Sequence, residues 1–180
     1  MAGEKFCIEV DSLSRGTVIA KHNGQVVWQP TSAGLEFNKI ANSPVPASSR
    51  PARLRQLKVL AKQFRSTLLG WQPGNAQREE LRLLPSPIYR YRIRQAGDLL
   101  DGALFAFASG TDPESLLVLE AVRGANAYSW EYAFARCSSG ALEGHLDEKL
   151  VWTAKCYPPN KQPSGQHIQF DRPLDDVLPR

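Results

Sequence analysis

The stretch 99–154 constrains the fold more than any other part of the chain. It reads LLDGALFAFASG, TDPE, SLLVLEAVRG, ANA, YSWEYAFARC, SSG, ALEGHL, DEK and LVWTA. Apolar, β-branched and aromatic runs of strand length alternate with short clusters of Gly, Asp, Asn, Pro and Ser, the pattern of an antiparallel meander. Positions 103–108 and 115–122 are apolar on both faces, which predicts central strands covered on two sides. Their connecting turn is 109–114, in which Glu114, following Pro113, reads as solvated. The next strand alternates Tyr128, Trp130, Tyr132 and Phe134 onto one face.

Upstream, 5–10 alternates around Phe6, Ile8 and Val10, and 17–20 resumes as a strand after turn residues. Asn23-Gly24 is the pair favoured in a type I′ hairpin turn, leading into 25–29 with Val26 and Trp28 on one face. Positions 35–40 alternate and predict an edge strand. The polar, proline-bearing segment 42–49 is an extended connector. One amphipathic helix is predicted over about 51–68: Ser48 or Ser49 caps it, Pro51 suits its first turn, and Leu54, Leu57, Leu60, Ala61, Phe64 and Leu68 share one stripe. Gly70 and Pro73 stop it, with a turn at 71–75. Strand 80–84 is interrupted by Pro85-Ser86-Pro87. Segment 88–94 then places Arg90, Arg92 and Arg94 on a wet face and Tyr89, Tyr91 and Ile93 on the other.

Sliding the N-terminal segment by 124 positions aligns it with part of the meander without gaps. Phe6, Ile8 and Val10 fall on Trp130, Tyr132 and Phe134; Ser14 and Gly16 on Ser138 and Gly140; Asn23 on Asp147; Val26-Val27-Trp28 on Leu150-Val151-Trp152. The segments 5–29 and 129–153 therefore read as a partial internal repeat, with Trp28 and Trp152 as core anchors.

The expected architecture is a single α+β domain over 1–157. A mostly antiparallel, twisted sheet, curled toward a barrel, packs on the helix, and a Pro-rich tail follows over 158–180, in which 167–170 docks as a short strand. A chain of 180 residues, 42% hydrophobic and 22% charged, can bury such a core without staples. Cys7, Cys137 and Cys156 lack metal-ligand spacing and read as buried, reduced thiols. No apolar run approaches the ~20 residues of a membrane span, and the first residues carry no signal-peptide core, so a cytoplasmic setting without membrane contact is the expectation.

Charge is uneven. Between Phe37 and Arg78 there is no Asp or Glu against eight Lys or Arg, so the rest of this +4 chain carries −4. Arg53, Arg55, Lys58, Lys62 and Arg65 are the candidate binding residues of a basic helix face over 50–65, able to contact phosphates. Glu120 is a carboxylate inside an apolar strand, which demands a partner or a raised pKa. An arginine of the 88–94 strand is the structural candidate for that partner. Asp101 and Glu120 are the candidate catalytic carboxylates. No metal site, P-loop, G-x-G-x-x-G or G-x-S-x-G is present, and no cofactor is implied.

Several stretches together resemble an uncharacterised family of proteins from planctomycete bacteria. They are Ser12-Leu13-Ser14-x-Gly16 through Trp28-x-Pro30; Ala52-Arg53-Leu54-Arg55-Gln56-Leu57-x-x-Leu60-Ala61-x-x-Phe64; Glu80-Leu81-Arg82-Leu83-Leu84-Pro85-x-Pro87-x-Tyr89-Arg90-Tyr91; Leu100 to Phe107; and Gly110-Thr111-Asp112-Pro113-Glu114. The resemblance spans roughly 5–157. It implies a shared fold, longer relatives that carry more of the first repeat upstream, and no activity. Three functions stay open: a non-catalytic scaffold or binding module with a protein partner, a polyanion or nucleic-acid binder using the helix, and a carboxylate-based hydrolase. The first is preferred.

Overall fold

The computed structural model describes residues 5–71, 78–93, 97–156 and 167–173. In chain order the elements are β1 (Lys5–Asp11), β2 (Ala20–His22), β3 (Gln25–Trp28), β4 (Asn38–Lys39), α1 (Arg50–Ala61), β5 (Phe64–Leu68), β6 (Glu79–Glu80) and β7 (Arg82–Leu83). They continue with β8 (Tyr89–Arg90), β9 (Leu99–Ser109), β10 (Asp112–Arg123), β11 (Tyr128–Arg136), β12 (Leu142–Leu146), β13 (Lys149–Ala154) and β14 (His167–Pro173). Among the described residues the fold is α+β, mostly antiparallel sheet with one helix.

The meander forms the central sheet, in the order β4-β11-β10-β9-β7, with β8 also on β9. β10 lies in the middle, and its residues 114–121 are all buried. That follows from cover on both faces. Leu117, Leu119 and Ala121 share one core with Leu57, Leu60, Phe64, Phe105, Trp130 and Phe134. Leu116 and Val118 share the other with Leu35, Ala106 and Ala133, against which Phe37 and Tyr91 pack. β4 adds at the edge, pairing Lys39 with Glu131.

The helix ends earlier than its apolar stripe. Ser49 caps it, accepting from Ala52 N at 3.3 Å, but α1 stops at Ala61 and Phe64–Leu68 is β5. These five residues satisfy both periods: Phe64 and Leu68 fit a helix stripe, while Phe64, Ser66 and Leu68 also alternate inward along a strand. Pairing decides. β5 lies antiparallel on β12 from Leu142–Leu68 to Leu146–Phe64, and Ser66 Oγ donates to Glu143 O at 3.1 Å. Tertiary pairing overrides local helical preference here. The resulting sheet runs β13-β12-β5-β6.

Two smaller sheets complete the described residues, β1-β14 and β2-β3, and none of the four closes into a barrel. The chain after 157 returns: β14 pairs with β1 from Lys5–Pro173 to Asp11–His167. His167 is buried there, its Nδ1 2.6 Å from Asp11 Oδ1. Positions 72–75, Arg94, 158–166 and 174–180, on which parts of the sequence reading fall, lie outside the described residues, as does the Cys7 side chain; Cys137 and Cys156 are half-buried and unbridged. No described helix is long and apolar enough to cross a membrane.

The hairpins β2-β3 and β12-β13 share one geometry. Ala20 faces Trp28, Lys21 faces Val26 and His22 faces Gln25, with an irregularity after Ala20. At 124 residues' distance, Gly144 faces Trp152, His145 faces Leu150 and Leu146 faces Lys149, with an irregularity after Gly144. Asn23 (φ 49°) and Asp147 (φ 50°) hold the left-handed turn position in each.

Candidate functional site

Cross-strand register builds a polar row on the face of the central sheet away from α1. Gly102, Glu120, Glu131 and Lys39 are successive partners across β9, β10, β11 and β4. Opposed residues in an antiparallel pair have Cβ atoms about 4.5–5.5 Å apart, so the two carboxylates repel unless a cation stands between them. Arg15, from the segment joining β1 and β2, supplies it. Its Nη2 lies 2.5 Å from Glu120 Oε2 and 3.2 Å from Glu131 Oε2, and its guanidinium sits 3.5 Å from the Phe37 ring centroid. Tyr91 completes the set, donating from its hydroxyl to Glu120 Oε1 at 3.0 Å. Burial and the Glu120 carboxylate push the Tyr91 hydroxyl well above the usual phenol range, so it stays a donor. Its ring lies where a Cβ at residue 102 would be, 2.5 Å away, and glycine makes that approach possible. The row opens into a cleft of about 520 Å³ lined also by Leu13, Asp98 and Arg123.

Asp101 belongs to a different site. It is opposite Ala121, on the helix side of the sheet, while its neighbour Gly102 is opposite Glu120. Arg53 Nε donates to Asp101 Oδ2 at 2.8 Å; Arg90 donates to Oδ2 at 2.6 Å from Nη2 and to Oδ1 at 3.2 Å from Nε. Burial alone raises this carboxyl's pKa, but the donors from Arg90 and Arg53 outweigh it and hold it below the ordinary carboxylate range. Arg53 Nη1 also donates to Ala47 O and Ser48 O, and Arg90 Nη2 to Arg50 O, so the cluster fastens the start of α1 to β8 and β9.

The structure departs from the sequence expectation at several residues. The arginine strand supplies Arg90 to Asp101, and Glu120 takes Arg15 instead. At 89–90 the expected wet face is reversed, Arg90 largely buried and Tyr89 54% exposed, because Arg90 turns toward the Asp101 carboxylate; Arg92 is exposed and Tyr91 and Ile93 half-buried, as expected. Glu114 is 3% exposed rather than solvated. It is the extra residue where the β9-β10 register shifts between Pro113 and Ser115, and the bulge turns it inward. Burial raises its pKa, with Ser138 offsetting part of the effect.

The basic set does not form one face. Arg53 is buried on Asp101, and Lys58 donates to Ser86 Oγ at 3.1 Å. Arg65 lies on β5, where it pairs with Glu148 at 2.6 Å. Arg55 and Lys62 are exposed. Arg15 and Phe37 went unrecognised from sequence. Arg15 stands 105 and 116 residues from its carboxylate partners, and Ser14-Arg15-Gly16 carries only a turn signal. No family model matches the chain, and no curated protein or solved structure matches it either.

Proposed function

We propose that the chain is a non-catalytic binding module that works through contacts with a partner protein. One observation carries the reading: the two candidate catalytic carboxylates, Asp101 and Glu120, are each engaged by arginines of the same chain, and they stand on opposite faces of the sheet. Asp101 is enclosed by Arg53 and Arg90 on one face of the sheet, and Glu120 is held by Arg15 and Tyr91 on the other. A hydrolase built on these two carboxyl groups needs both within reach of one substrate, and the pair that does stand together, Glu120 and Glu131, is bridged by Arg15. The polyanion alternative is supported by Arg55 and Lys62 rather than by all five basic residues, since Arg53 and Arg65 face carboxylates and Lys58 a hydroxyl. Kinship with the planctomycete family belongs to the same proposal and adds no activity to it.

The test runs the purified chain beside its Glu120→Gln variant on ester, phosphoester and glycoside substrates. Equal background rates are expected; turnover that disappears in a folded Glu120→Gln protein sinks the reading. Salt-sensitive retention on heparin, abolished by Arg55→Glu/Lys62→Glu, hands the function to the polyanion alternative.

A further inference from the structure

We infer that the outer edge of the β2-β3 hairpin is a docking site for an extended segment of a partner protein, added as an antiparallel strand against Ala20–His22. This docking site rests on the binding-module reading for its biological sense and on the two matching hairpins for its geometry. Both ribbons have the same register, the same irregularity one residue before the last two pairs, and a left-handed residue at the turn. They differ in what lies beyond the first strand. β12 carries β5 on its other edge over five residue pairs. The ladder continues past both ends, with Leu69 N donating to Ala141 O, Ala141 N to Gly70 O and Asp147 N to Gln63 O at 2.7–3.0 Å. Among the described residues β2 has no such neighbour; its sheet is β2-β3 alone.

A two-stranded ribbon is marginal by itself, and an edge with unpaired N–H and C=O groups is a template for another strand. Apolar side chains of the ribbon and of the residue leading into it are open: Ile19, Val26 and Val27 are 47–55% exposed. The filled position describes the occupant. β5 turns Phe64, Ser66 and Leu68 inward and exposes Arg65, which stands opposite His145. His145 corresponds to Lys21, which is exposed. The segment that fits β2 is therefore extended, alternates apolar and polar residues, and has an acidic residue opposite Lys21. The same lysine argues against a second copy of the chain, because two-fold pairing of Ala20–His22 sets Lys21 against Lys21, and opposed like charges destabilise a ladder. Strand addition of this kind takes its affinity from main-chain hydrogen bonds and its selectivity from the alternating side chains.

The probe is a synthetic peptide copying residues 62–70 of the chain with Arg65→Glu, titrated into the full chain and followed by amide hydrogen exchange. Slower exchange at residues 19–21, by about tenfold at saturation, is expected. A peptide with Ser66→Pro, which cannot complete the ladder, gives no protection, and this control leaves the protein untouched. Lys21→Glu reverses the preference toward the peptide that retains Arg65, by up to about fivefold for one cross-strand charge pair. No protection at about 1 mM peptide overturns the proposal, as does equal protection by the proline peptide or protection confined to β12. Concentration-dependent protection without peptide makes the occupant a second copy and overturns the partner assignment. These failures leave the substrate assays unchanged, and turnover in those assays leaves the exchange result unchanged, so the two readings fail separately.

Discussion

Asp101→Asn isolates what the buried cluster contributes. The substitution keeps the side-chain volume, removes the negative charge and turns one acceptor oxygen into a donor facing guanidinium N–H groups. Asp101, Arg53 and Arg90 have side chains 2%, 9% and 14% exposed, so water repairs little of the loss. Removing one partner of a buried ion pair costs about 3–5 kcal/mol, chiefly because the remaining charge is left without compensation, and here two cations are left. With a urea m-value of about 2 kcal/mol/M, the midpoint falls by roughly 1.5–2.5 M. Circular dichroism in urea reads this directly. Asp101→Asn in an Arg53→Met background costs less than in the wild type, by about 1–3 kcal/mol, since the two residues share one interaction.

The pH dependence follows from the lowered carboxyl. In the unfolded chain the group titrates near pH 4, and in the folded chain below it, so the cluster's stabilisation is complete above about pH 4 and is lost as pH falls through the folded value. The gap between wild type and Asp101→Asn should hold from neutrality to about pH 4 and close in stronger acid. A difference under about 1 kcal/mol at pH 7, or a gap unchanged through the acid range, refutes the reasoning.

Glu114→Gln stabilises the protein at neutral pH, by on the order of 1 kcal/mol, because it removes a buried carboxylate whose raised pKa disfavours its charged form; thermal melts should show the gain shrinking to nothing below about pH 4. Arg15→Ala changes stability by less than about 1 kcal/mol, since the Arg15 side chain is 49% exposed, and adding Glu131→Gln recovers the loss by removing the opposed charge; urea midpoints check both. Gly102→Ala drives a methyl group into the Tyr91 ring and costs about 1–3 kcal/mol, accompanied by a changed near-ultraviolet tyrosine signal.

The meander was legible because burial on both faces writes itself into composition: residues 115–121 of β10 are apolar apart from Ser115 and Glu120, and they occupy the centre of the sheet. The Asn23-Gly24 turn and the Ser49 cap were legible for an equally local reason, since each is specified by the backbone geometry of a few adjacent residues. β5 was not. Phe64 and Leu68, four apart, serve a helix and a strand alike, and the choice between them lies in β12, which begins at Leu142. The bulge at Glu114 was hidden in the same way, because Pro113 and Glu114 read as turn residues until β9 fixes the register opposite them.

The polar clusters divide along a finer line. That Glu120 needs a partner was visible from its apolar neighbours, and an arginine near residue 90 was a sound candidate on chemistry alone. What decided the pairing was parity. Tyr89 is opposite Leu104 and Arg90 opposite Ala103, and Tyr91 N donates to Gly102 O. Successive side chains point to opposite faces, so once Tyr91 lies over Gly102 and reaches Glu120, Arg90 must face the helix side, where Asp101 waits. A slip of one residue would exchange the two assignments, and nothing within 88–93 specifies which holds. The register is fixed from outside: Gly102 leaves room for an aromatic ring on one face, while Arg53 and Asp101 leave room for a second guanidinium on the other. With that face taken, Glu120 is left to a cation delivered from the β1-β2 segment, which is why Arg15 emerges only when the chain is folded.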